Sequence, residues 1–95
     1  MFVAIVKLEF HFQAVVSIKE KRRIVNSTKE KIRSKFKISI SEVEDQDLYN
    51  STVLGASFVS IKKDHAVTKT QNIIKFIEQH FSSIFYDYNF IVEEY

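Results

Sequence analysis

Nine of the fourteen basic residues in this 95-residue chain fall between Ser17 and Lys37: Lys19, Lys21, Arg22, Arg23, Lys29, Lys31, Arg33, Lys35 and Lys37. Only Glu20 and Glu30 oppose them, so the stretch carries +7, while the rest of the chain, with five basic and ten acidic residues, carries −5. The net charge of +2 therefore conceals a polarised molecule. Cations gathered in this way neutralise phosphates, each contact releases counterions, and affinity then falls with salt. The chemistry indicated is contact with an RNA backbone. The alternative is a solvated helix whose lysines maintain solubility and whose inner-edge stems lie along the core. On a helical wheel Lys19, Arg22, Arg23 and Arg33 share one flank, with Lys21, Lys31 and Lys35 on the other. The first four are the candidate nucleic-acid contacts.

Other constellations point away from catalysis. Glu42-Val43-Glu44-Asp45-Gln46-Asp47 offers oxygen ligands, but its spacing departs from the calcium-loop pattern and it lacks the glycine such a turn needs. It reads as a solvated connection or as a counter-charge to the basic helix. His11, His65 and His80 are widely separated, the last two by about four helical turns, and each reads as a lone surface histidine. No Ser-His-acid arrangement or nucleophile elbow is present. The absence of cysteine excludes disulfides, thiolate nucleophiles and thiolate zinc sites. One glycine and no proline leave nothing from which to build a glycine-rich phosphate cradle. No enzyme activity, cofactor or metal is expected.

These side chains must be positioned by a small number of elements. Phe2, Ala4, Val6, Leu8, Phe10 and Phe12 alternate with Lys7, Glu9, His11 and Gln13, the period of a half-buried strand. Ser17 with Glu20 forms a capping box, predicting a helix that runs to about Phe36 and turns Ile18, Val25, Thr28, Ile32 and Phe36 inward, with Ile24 at the edge. Ile38, Ile40 and Val43 suit a short second strand, and Thr52 to Ile61 a third, apolar on both faces and central. Asp64 is placed to cap a second helix with Ala66, Thr70, Ile73, Ile74, Ile77 and Phe81 on its inner face. Tyr86, Tyr88, Phe90 and Val92 alternate as a fourth strand. The order β-α-β-β-α-β predicts an α+β, ferredoxin-like split βαβ fold, with a four-stranded antiparallel sheet and both helices on one face. The length fits a single domain over residues 1–95.

The chain resembles the YlxP-like family of small bacterial proteins. The resemblance rests on Ser17-Ile18-Lys19-Glu20-Lys21-Arg22, the run Ile32-Arg33-Ser34-Lys35-Phe36-Lys37-Ile38-Ser39-Ile40-Ser41-Glu42-Val43, Gln46-Asp47-Leu48-Tyr49, and Leu54-Gly55-Ala56 before Val59-Ser60. It departs mildly, with Tyr49 where tryptophan is common and Lys37 where asparagine often precedes the second strand. The resemblance implies a ferredoxin-like fold and a setting near ribosome maturation, because such genes commonly lie beside those for translation and ribosome assembly factors. It implies no catalytic residue.

On this fold, alternation turns Phe10 and Phe12 toward the helices and leaves Val3, Ile5, Lys7, Glu9 and His11 on the open face of the first strand. Base stacking on the sheet, as in RNA-recognition motifs, is not expected: Ala56 stands where a ring is needed. The open face is expected instead to gather Val3, Ile5, Val53, Val59, Phe85 and Ile91 into an apolar interface for a homodimer or another protein. The main expectation is thus a non-enzymatic RNA- or ribosome-associated protein, cytoplasmic because no apolar run is long enough to span a bilayer, with no membrane and no small-molecule substrate. The alternative is a dimeric structural or adaptor module that binds through its sheet.

Overall fold

A computed structural model describes all residues from Met1 to Tyr95. The chain forms β1 (Phe2–His11), α1 (Ile18–Phe36), β2 (Ser39–Glu44), β3 (Ser51–Ser60), α2 (Lys63–His80) and β4 (Phe85–Glu94). All neighbouring strands are antiparallel, in the order β2-β3-β1-β4, so β1 and β3 form the centre. This is the ferredoxin-like architecture expected from the alternation and capping signals. Ala4, Val6, Leu8 and Phe10 of β1, with Leu54 and Ala56 of β3, meet Val25 and Ile32 of α1 and Ala66, Ile73, Ile74 and Ile77 of α2; all are buried. The other sheet face has no layer over it.

Helix α1 begins at the expected serine, though only the serine half of the capping box forms. Ser17 is extended, and its hydroxyl accepts a hydrogen bond from the Glu20 N–H at 3.2 Å, satisfying one of the orphan donors of the first turn. The helix ends on Lys37, whose φ of 55° and ψ of 50° are left-handed while its N–H donates to the Arg33 carbonyl at 2.8 Å. A residue with a Cβ is disfavoured there, whereas glycine carries no such penalty. Lys37→Gly is expected to stabilise the fold by about 1 kcal/mol, read as a higher urea midpoint at unchanged slope.

Two local expectations are corrected. Asp64 is not the cap of α2. The chain enters that helix earlier, at Lys62, which has no side-chain cap bond; the Ala66 N–H donates to the Lys62 carbonyl at 3.2 Å and Asp64 falls in the first turn. Its carboxylate there still favours the positive end of the helix dipole. Phe85 does not lie on the open face. The β1–β4 register shifts between Glu9 and Phe10, so Glu9 pairs with Asp87 while Phe10 pairs with Phe85, leaving Tyr86 as an extra residue. A bulge of this kind reverses the side-chain alternation beyond it. Phe85 therefore turns to the core, its ring 5.4 Å from that of Phe10, and Tyr86 faces outward, stacked on His11 at 3.9 Å.

A second bulge lies in β2, where Glu42 pairs with Leu54 and Glu44 with Val53. The intervening Val43 crowds β3 at its only glycine: a Cβ on Gly55 would sit 2.9 Å from Val43 Cγ1. The glycine of the Leu54-Gly55-Ala56 signature thus makes room for the bulge.

Candidate nucleic-acid interface

The fold sorts the charges of α1 by depth. Lys21 is 1% exposed, its stem within the core layer. Its ammonium donates to the Asp45 carbonyl and lies 3.0 Å from Glu42 Oε2. Glu42 also accepts from the buried Thr52 hydroxyl at 2.5 Å, and Asp45, left-handed at φ 63°, accepts from Ser51 at 3.1 Å through its carboxylate. Every buried polar side-chain atom is hydrogen-bonded, as low-dielectric burial requires. The acidic connection therefore does meet the basic helix, within the same molecule. The wheel brings Lys21 near the buried edge; the structure takes it fully inside.

Lys19, Arg22 and Arg23 lie exposed on the solvent side of α1 and make no ion pair. Arg33 is less free: it pairs with Glu30 at 2.9 Å and donates to the Ile40 carbonyl at 3.1 Å, tying α1 to β2. On the flank toward α2, the ammonium of Lys35 lies 5.5 Å from the Phe76 ring and that of Lys31 5.8 Å from Phe81. The structure thus separates the four candidates into three available cations and one engaged one.

Counted by layer, the polarity is larger than the sequence segments suggest. The helix segments, Ser17–Lys37 and Lys62–His80, carry +9; the strands and remaining loops carry −7. A polyanion is accordingly attracted by the helix layer and repelled by the sheet.

Cross-strand pairing fixes the open sheet face row by row. Val59, Val3 and Glu93 form one row; Ser57, Ile5 and Ile91 the next; then Ser41, Gly55, Lys7 and Asn89; then Glu44, Val53, Glu9 and Asp87. Five of the six expected interface residues do point to this face, Phe85 excepted. Ile5, Val59 and Ile91 are exposed, at 45%, 63% and 50%, and Val3 is half-buried. Val53 is only 4% exposed and cannot contribute much contact area. The ion pair between Lys7 and Glu44, 2.5 Å long, crosses β3 beside it. A hydrogen bond and charge from Glu44 raise the Lys7 pKa above its ordinary value of 10.5. Any stability from this raised pKa is fully present below the unfolded value and is lost as pH climbs through the folded one.

Sequence reasoning missed the His11–Tyr86 stack and the directly opposed Glu9 and Asp87, both of which depend on register. Of the other histidines, His80 stacks on Phe76 at 4.3 Å, and His65 lines a groove between the helices with Lys35, Lys69, Thr68 and Asn72. No group of three or more His, Asp or Glu is placed to hold a metal ion. No helix is long and apolar enough to cross a membrane.

These features define a two-layer ferredoxin-like protein with a cationic helix layer and an acidic, partly apolar open sheet. A structure of similar fold is that of a dabb family protein from Mesorhizobium loti MAFF303099, with a TM-score of 0.52, 14% identity, and coverage of 99% of this chain and 96% of that one. The family model described as "Protein of unknown function (DUF503)" matches residues 3–89, and the chain belongs to that family. A relative in Bacillus subtilis strain 168, "Uncharacterized protein YlxP", is 32% identical over 62 residues, which are 65% of this chain and 67% of the relative.

Proposed function

We propose that the protein is a non-enzymatic RNA-associated protein, with ribosomal RNA as its expected target, and that α1 holds the phosphate backbone. One observation carries this reading: Lys19, Arg22 and Arg23 stand unpaired on the outer side of a helix layer of charge +9, while the acidic residues lie mostly in the sheet and its loops. The ribosome-maturation setting implied by the family resemblance is consistent with it. The test is fluorescence anisotropy of a labelled ribosomal RNA fragment, titrated at several salt concentrations. Replacing Lys19, Arg22 and Arg23 together by alanine removes three phosphate contacts. It should weaken binding roughly a hundredfold at about 0.1 M salt and flatten the log–log salt slope by about 2 to 3. Arg33→Ala should change affinity far less, because Glu30 already holds that guanidinium. Binding that is indifferent to the triple substitution would overturn the proposal.

A second reading is favoured by Ile5, Val59 and Ile91, which stand exposed beside Val3 on an uncovered sheet. In it the protein is a structural or adaptor module that associates through this face, either with a second copy or with another protein.

A further inference from the structure

We propose that the open sheet face docks a basic amphipathic segment of another protein, rather than a second copy of this chain. The proposal rests on the second reading above and names the partner chemistry. Val3, Ile5, Val59 and Ile91 provide an apolar strip across β3, β1 and β4. Its surroundings decide what covers it.

Four carboxylates, Glu9, Glu44, Asp87 and Glu93, point to this face, and Lys7 is its one lysine or arginine, already paired with Glu44. Glu9 and Asp87 are directly opposed across β1 and β4, an arrangement that destabilises a sheet, and neither has an ion-pair partner in this chain. They border a depression of about 160 Å³ that is lined also by Val53, Tyr88, Asn89 and the paired Lys7 and Glu44. That is a little over five times a water molecule's share of liquid volume and enough for one guanidinium group. Arginine suits the position, because its planar fork bonds carboxylates in pairs and its stem tolerates apolar surroundings.

Two copies placed face to face would bring the same unpaired carboxylates into one interface, where like charges oppose association. A cationic segment meets none of this repulsion. The pairing also sets its spacing. Ile5 and Glu9 are four residues apart on β1, so the partner must present an apolar side chain and an arginine about 13 Å apart.

The probe is a fluorescein-labelled ten-residue peptide with leucine at positions 2 and 4, arginine at positions 6 and 8 and serine elsewhere, so that an extended backbone sets leucine 2 and arginine 6 on one face about 13 Å apart. The control carries glutamate in place of arginine, and both are titrated by anisotropy against the full-length protein. The arginine peptide should bind and the glutamate peptide should not. Glu9→Gln with Asp87→Asn should weaken binding at least tenfold. These substitutions relieve a like-charge pair, so the variant should melt at or above the temperature of the unchanged protein, separating a binding loss from misfolding. Ile5→Ser with Ile91→Ser should also weaken binding, whereas alanine at Lys19, Arg22 and Arg23 should leave it intact.

If the isoleucine pair matters but the carboxylate pair does not, the face docks a partner and the proposed chemistry is wrong. If neither pair matters, the docking reading falls as well. Sedimentation at several concentrations closes the test. Association abolished by Val59→Lys would make another copy of this chain the occupant and overturn the proposal, whereas a monomer throughout supports it.

Discussion

Replacing Lys21 with alanine is expected to destabilise the protein by about 3 to 5 kcal/mol, a large fraction of what a domain of this size possesses. The lysine is 1% exposed and its ammonium is the only cation within reach of Glu42. Removing it strands a carboxylate whose remaining partner is the Thr52 hydroxyl, and leaves the Asp45 carbonyl without its donor. The penalty comes chiefly from the charge left behind. Replacing both partners, Lys21→Met with Glu42→Leu, should recover part of the loss, because no charge is left stranded, while the Asp45 carbonyl and the buried Thr52 hydroxyl still lose their partners. Urea denaturation of the single and double variants measures both values. A single variant with an unchanged midpoint would show that the pair is idle. RNA affinity provides an independent comparison: a folded double variant should bind as the unchanged protein does, because Lys21 is inside the molecule.

Phe10→Ala should cost a similar amount, about 3 to 5 kcal/mol, since the ring is 1% exposed in a central strand and its removal leaves a cavity. Its informative companion is Phe85→Ala. With the rings 5.4 Å apart, a double-mutant cycle should give a coupling of about 0.5 to 1.5 kcal/mol. Zero coupling would return Phe85 to the open face and remove the β4 bulge. The cycle therefore tests a register as well as a contact.

The elements were legible because their signals are local. Alternation from Phe2 to Phe12 and the Ser17 cap need no knowledge of the rest of the chain, and they lead to β1 and the start of α1. The bulges were not legible, because an extra residue is defined only against a partner strand. Tyr86 follows Phe85 in an unbroken pattern that gives no sign of the slip opposite Glu9 and Phe10. The depth of Lys21 escaped for a related reason: an inner-edge lysine resembles one that snorkels until Glu42 is brought beneath it from 21 residues away. For the candidate surfaces, residue type was readable and availability was not. Arg33 and Arg22 look alike in sequence, yet only the first has Glu30 and the Ile40 carbonyl as partners.

The division of charge between the layers also governs how the molecule orients itself. A body positive on one side and negative on the other experiences a torque near any highly charged surface and arrives already turned. Approaching a polyanion helices first, it keeps the strip of Val3, Ile5, Val59 and Ile91 pointing away from that surface, with Glu9 and Asp87 beside it. The two sides need not compete for a single guest. On the two proposals above, the helix layer holds the phosphate backbone while the sheet stays open to a second partner.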